Sequence, residues 1–247
     1  MKHARVLVAE CIGSAFLLMV VVGSGILADK LNGGANLALS VLCVAFATGG
    51  VLYALITSLG AVSAHFNPAV TLVSAFRREL SWSLVLPYIL SQILGACLGV
   101  IMANLMFDLP AVTISQTVRH ASGQYLGEFI AIFGLLGTIF GTARHRPEAV
   151  PAAVAAYVAG AIYFTSSTCF ANPAVTIART LTGTLTGICP ADVAAYVAFQ
   201  VLGALSAMVV FGWLFKAEDG EIEKIRRELT EEELRLRLER DYKLHNL

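Results

Sequence analysis

The chain has 247 residues, 57% of them hydrophobic and only 14% charged, with 17 basic and 17 acidic side chains. Soluble domains run at roughly 45–50% apolar and about 25% charged, so this composition excludes a water-soluble globule, and the zero net charge offers nothing to nucleic acid. The five cysteines (Cys11, Cys43, Cys97, Cys169, Cys189) have no metal-ligand spacing, and three lie in apolar stretches where cysteine packs as a small hydrophobe, so no metal, cofactor or disulfide framework is expected.

A helix crosses a bilayer with about 20 apolar residues. Six stretches qualify, over residues 5–28, 36–58, 82–107, 123–142, 148–167 and 190–215. The first follows Lys2 and Arg5 like a signal peptide. Its apolar run, Val6 to Leu27, exceeds the roughly 7–15 residues of a signal core, so it reads as a first transmembrane helix. Two further pieces, near 68–77 and 173–182, are too short to span. Residues 108–122 form the longest connection.

Charge concentrates at the C-terminal end. Residues 216–247 carry 8 of the Lys/Arg and 10 of the Asp/Glu, leaving 9 and 7 for the first 215 residues. The chain therefore divides into a membrane body, 1–215, and a charged amphipathic tail, 216–247. In the tail Ile222, Ile225 and Leu229, then Leu234, Leu238 and Tyr242, keep helical spacing, and Thr230 with Glu233 has the form of a capping box. Assembly, partner docking, gating and simple solubility are all open roles for it.

Basic residues favour the cytoplasmic side. Lys2 and Arg5, Arg77 and Arg78, Arg144 and Arg146, and Lys216 fall on one side when six spans are counted, which puts both termini in the cytoplasm of an inner-membrane protein. Lys30, Arg119 and Arg179 are the outer minority.

The chain repeats itself. His65-Phe66-Asn67-Pro68-Ala69-Val70-Thr71 returns as Cys169-Phe170-Ala171-Asn172-Pro173-Ala174-Val175-Thr176. Glu10 in span one has its counterpart in Glu128 of span four. Gln92-Ile93-Leu94-Gly95-Ala96 corresponds to Gln200-Val201-Leu202-Gly203-Ala204, and small residues Gly99 and Ala207 follow one turn after each glycine, a pattern that lets helices approach closely in lipid. Repeat one covers 5–107 and repeat two 123–215. Three spans per repeat is an odd number, so the second copy is inverted, a recurrent transporter and channel plan. Asn is a good N-cap and Pro the preferred first helical residue. Each Asn-Pro-Ala should start a half-helix, one dipping in from each side, since irregular backbone at membrane depth is tolerated only inside protein or beside a water-filled cavity.

Six spans, paired Asn-Pro-Ala half-helices, Glu10 and Glu128, and the two Gln-x-x-Gly-Ala segments resemble the aquaporin (major intrinsic protein) family over residues 5–215. The resemblance implies an all-α membrane fold with six transmembrane helices and two re-entrant half-helices. It also implies a homotetramer in a lipid bilayer, each subunit passing water or small neutral solutes. It places a selectivity filter at Cys169, at Val175 where the family nearly always has Arg, at Gly160, and at Thr48 or, without a one-residue gap before His65, at Ala47. Such a filter is wide and mostly neutral. Loss of the arginine resembles the aquaglyceroporin-like channels of bacterial arsenic resistance. Arsenite, As(OH)3, has a glycerol-like polar shape, and methylated or even anionic arsenicals are further expectations. Arg179, one turn beyond Val175, is expected in the outer vestibule.

Several residues carry two readings. Glu10 and Glu128 are intramembrane carboxylates, functional candidates by default; bracing the irregular loops is preferred to a proton relay, because no His or Asp chain accompanies them. His65 lines the cytoplasmic pore or holds its own loop. Phe66 and Phe170 are expected to wedge the loops. An ordinary water and glycerol facilitator without an arsenic role is the alternative function. A proton- or ion-coupled transporter is more distant. A membrane enzyme is set aside, because no Ser/His/Asp or metal-ligand cluster lies in the spans.

Overall fold

The computed structural model describes residues 2–216; apart from Lys216, the amphipathic tail expected from the sequence lies outside the described residues. Residues 1–212 form one compact unit. Among the described residues eight α-helices follow one another: α1 (Lys2–Asn32), α2 (Leu37–Leu59), α3 (Pro68–Phe76), α4 (Trp82–Met106), α5 (Ser122–His145), α6 (Val150–Phe164), α7 (Pro173–Ala178) and α8 (Val193–Leu214). Six are long and apolar enough to cross a membrane, α6 counting the 3-10 turn Pro147–Ala149 before it. The short pair, α3 and α7, are not. All five cysteines are free.

Helix association in lipid depends on close packing and hydrogen bonds, because the surrounding tails are as apolar as the helix faces. The glycines of the repeat supply that approach. A Cβ on Gly95 would lie 2.1 Å from the Cys11 carbonyl oxygen of α1, and one on Gly99 would lie 2.2 Å from that of Ala15. In the second repeat a Cβ on Gly203 of α8 would lie 2.5 Å from the Phe129 carbonyl of α5. The α1–α4 and α5–α8 pairs are thus the same backbone-to-backbone contact made twice. Across the repeats α2 packs on α6. The long helices thus pack in the series α4–α1–α2–α6–α5, and α3 and α7 contact each other.

The half-helices start as their sequences dictate. Asn67 and Asn172 are extended N-caps (φ −152° and −161°), each followed by proline at the first helical position. Asn67 Oδ1 accepts from the Ala69 N–H at 2.9 Å. Asn172 Oδ1 accepts from Ala174 N–H at 2.9 Å and Val175 N–H at 3.3 Å. The second half-helix is shorter than the expected 173–182. After Ala178 it tightens into a 3-10 turn, Arg179–Leu181, because the Thr180 and Leu181 carbonyls accept instead from Ser115 N–H (2.9 Å) and Thr113 N–H (3.0 Å) of the long connection. Helix α6 likewise stops at Phe164, where Thr165 turns extended (φ −93°, ψ 142°) and the chain dives back toward Asn172.

The glycine contacts make a stability prediction. Gly95→Val forces a branched side chain into the Cys11 carbonyl, and overpacking of a tight contact costs about 1–3 kcal/mol or more. The variant should melt several degrees below wild type in detergent. Gly50→Ala, where a Cβ meets nothing within 4 Å, should melt no lower than wild type.

Candidate functional site

The two Asn-Pro-Ala segments are bonded to each other. The Asn67 side-chain amide donates to the Ala171 carbonyl at 2.8 Å, and the Asn172 amide donates to the Phe66 carbonyl at 2.7 Å. Each amide NH2 carries two hydrogens, so each retains one beyond this bond. The loops that present these carbonyls are bent sharply: Phe66, Thr168, Cys169 and Ala171 all have positive φ, from 46° to 63°. Such non-glycine conformations cost about 1–3 kcal/mol each and persist only where the surroundings enforce them.

Two buried carboxylates do the enforcing. Glu10 Oε1 accepts from the His65 N–H (2.8 Å) and the Ser63 hydroxyl (2.5 Å), and its Oε2 accepts from the Phe66 N–H (2.7 Å) and the Gln92 amide (2.7 Å). Glu128 repeats the arrangement with Phe170 N–H (2.9 Å), Ala171 N–H (2.8 Å) and the Gln200 amide (2.5 Å). Both glutamates and both glutamines are fully buried. Each glutamine also donates to a half-helix threonine, Gln92 to Thr71 at 2.9 Å and Gln200 to Thr176 at 2.8 Å. The repeat marked Gln92 and Gln200 only as matching positions; their bonds to the carboxylates could not be read from spacing. Phe66 wedges as expected, its ring lying where a Cβ on Gly13 would be (2.0 Å).

A cavity of about 660 Å³ runs past both asparagines. Its wall reaches from Ser74 in α3 and Glu79 just after it at one mouth to Thr117, Arg119 and Leu185 at the other. Thr48, His65, Asn67, Cys169, Asn172, Val175 and Arg179 all line it. Thr48, not Ala47, faces the cavity, in register with Val44 and Leu52 on α2. His65 faces it while its Nδ1 lies 3.1 Å from the Thr71 hydroxyl. Gly160 departs from expectation. The α6 residues in the wall are Val150, Val154, Val158 and Ile162, at four-residue spacing. Gly160 sits on the opposite, exposed face with Ala152, Ala156 and Tyr163. Counting back from Asn172 misplaced it by about half a helical turn. Ile162 is the lining residue one turn before Thr165, whose hydroxyl accepts the Cys169 N–H at 2.9 Å.

The mouth beyond Val175 holds two buried arginines. Arg179 donates from Nε to the Thr186 carbonyl and lies over the Phe170 ring, 3.4 Å from its centroid. Arg119, on the α4–α5 connection, lies over the same ring at 5.1 Å. Its guanidinium donates to the carbonyls of Gly187 (2.8 Å), Leu185 (3.1 Å) and Ser167 (3.4 Å). Burial depresses its pKa from the ordinary arginine value. The sequence indicated nothing of Arg119 beyond a basic residue on the outer side, because only the fold of a 15-residue connection brings it inward.

With this geometry established, comparison with known proteins is decisive. The family model described as "Major intrinsic protein" matches residues 1–170. This chain belongs to the major intrinsic protein family. Aquaglyceroporin AqpS of Rhizobium meliloti (strain 1021) is 45% identical over 210 residues, 85% of this chain and 89% of its own length. Aquaporin NIP2-1 of Arabidopsis thaliana is 35% identical over 86 residues, 35% of this chain and 28% of its own. Putative aquaporin NIP4-1 of the same plant is 36% identical over 87 residues, with 35% and 29% covered. Members of the major intrinsic protein family are membrane channels for small neutral solutes and not enzymes, and this chain has their fold.

Two outcomes test the site. Glu128→Leu strands the Phe170 and Ala171 amides in the interior at about 1–3 kcal/mol apiece; thermal stability and solute flux should both fall, and an unchanged melting temperature would refute the bracing geometry. Mercurials should block flux at Cys169, and Cys169→Ser should relieve the block; persistent block would locate the reactive thiol elsewhere, with Cys189 the next thiol to test.

Proposed function

We propose that this protein passes small uncharged solutes by passive diffusion through a filter that lacks the family arginine, admitting water, glycerol, and arsenite or other metalloid hydroxides. The observation that carries this reading is Val175. It is buried, lines the cavity, and stands where the family arginine would project, while Arg179, just past the end of the same half-helix, is turned to Thr186 and Phe170. The filter is then Thr48, Ile162, Cys169 and Val175, with Ile162 taking the place first given to Gly160. The Thr48 hydroxyl is buried without a protein partner among the described residues, which leaves it to bond a hydroxylated solute. Val175 and Ile162 supply apolar contact, so methylated arsenicals fit the same opening. The relative named aquaglyceroporin supports a pore wider than a water-only one.

In this reading Asn67 and Asn172 meet the solute with their remaining amide hydrogens. The α3 and α7 N-termini add roughly half a positive charge each, a barrier to cations of a kind known in selective pores. Glu10 and Glu128 act as braces rather than as a proton relay, since both oxygens of each carboxylate already hold donors. His65 lines the cytoplasmic side. The channel body is 1–215 and assembles as a homotetramer in the inner membrane with both termini cytoplasmic, as the basic residues at Arg5, Arg77, Arg78, Arg144 and Arg146 favour.

Proteoliposomes test the proposal with water, glycerol and arsenite gradients, each repeated under an imposed pH gradient. Fluxes should dissipate each gradient, and Val175→Arg should keep water flux while cutting glycerol and arsenite several-fold. Gradient-driven accumulation, or unchanged large-solute flux in Val175→Arg, would overturn it.

A further inference from the structure

Beyond Val175, the Arg119 and Arg179 guanidiniums share one aromatic ring at the same mouth of the cavity. Arg179 is 4% exposed and Arg119 9% exposed. Among the described residues neither is in an ion pair. Glu128 acts on both guanidiniums and Asp192 on Arg119, but only at a distance, and the hydrogen bonds of both carboxylates go elsewhere. Glu128 holds the Phe170 and Ala171 amides, and Asp192 holds the Arg119 backbone N–H at 2.6 Å and faces His120 at 3.7 Å. Besides its contact with the Phe170 ring, the Arg179 side chain hydrogen-bonds the protein only through Nε. Its two Nη groups have no hydrogen-bond partner among the described residues, and the side chain faces the cavity.

Two buried guanidiniums at one mouth, neither in direct contact with a carboxylate, favour an anion that enters the cavity beside them. The surrounding carbonyls of Thr186, Gly187 and Leu185 fix the forks but do not neutralise them. An arginine fork matches the oxygens of a carboxylate or tetrahedral oxyacid, and bonds of that kind are about twice as strong as neutral ones. Directly below, Val175 and Ile162 offer no charge, so an anion held here would not be drawn further in.

We propose that Arg119 and Arg179 form a binding site for a small oxyanion in the vestibule beyond the Val175 constriction, where an occupant slows neutral solutes entering from that side. The site does not depend on which neutral solute passes; its effect on flux rests on this cavity being the solute pathway. Phosphate at pH 6, largely the monoanion, is the probe, with ionic strength matched by chloride.

Calorimetric titration of the full chain in detergent should show saturable phosphate binding absent with chloride, weakened at least tenfold by Arg179→Gln. Arg119→Lys, which keeps the charge and loses the fork, should also weaken it and serves if the first variant does not fold. In proteoliposomes external phosphate should slow wild-type glycerol flux, and the slowing should be lost in the variants. Absence of saturable binding, or equal binding in both variants, overturns the site. Binding that responds to the variants in vesicles without glycerol flux would uphold the site and overturn the pathway reading instead.

Discussion

The structure depends on two reciprocal hydrogen bonds, from the Asn67 amide to the Ala171 carbonyl and from the Asn172 amide to the Phe66 carbonyl. Each half-helix is too short to cross a membrane and would leave its N-terminal amides and preceding carbonyls unsatisfied in lipid. By capping its own helix with Oδ1 and the opposite loop with Nδ2, each asparagine satisfies both segments at once. The two repeats are thereby fastened where neither has a continuous helix. Anything that moves one loop must move the other.

That junction is only as firm as the loops behind it. Four positive-φ residues and a string of free amides would not hold their shape unaided. Glu10 and Glu128 supply the acceptors, each tied by a glutamine to the threonine of its own half-helix. A buried carboxylate is costly unless it is fully hydrogen-bonded, and here the donors are the amides that the loop geometry leaves without helical partners. The close α1–α4 and α5–α8 approaches, made possible by Gly95, Gly99 and Gly203, bring each glutamate within reach of its glutamine. Packing by small residues and the polar network are therefore one device, executed twice.

Around this frame the cavity is mostly apolar, which gives its few polar groups weight. Thr48 and the two asparagines line it, and in the function proposed above they bond the solute while Val175 stands where the family usually places an arginine. The positive charge has not vanished from the molecule. It lies further out on Arg119 and Arg179, held by backbone carbonyls and the Phe170 ring.

The sequence by itself determined the class of protein. Six apolar stretches, two Asn-Pro-Ala copies and matched Glu and Gln positions suffice for the fold, because bilayer thickness and the need to satisfy backbone groups in lipid leave few arrangements open. Proline and asparagine likewise declare where α3 and α7 begin. Side-chain direction was less legible. Thr48 and Ala47 are neighbours in the chain, and only the register of α2 against α6 decided that Thr48 faces inward. Gly160 was placed by counting across a loop, and the turn at Thr165 set α6 in a phase that turns it outward and brings Ile162 to the cavity. The charges of the vestibule were the least legible of all. Arg119 reaches Phe170 from a connection without regular periodicity, and Arg179 turns aside because the carbonyls after it bond to that same connection. Local residue chemistry sets where helices start and which stretches enter lipid. Which side chains meet in the lumen depends on contacts between segments distant in sequence, and tertiary structure alone decides those.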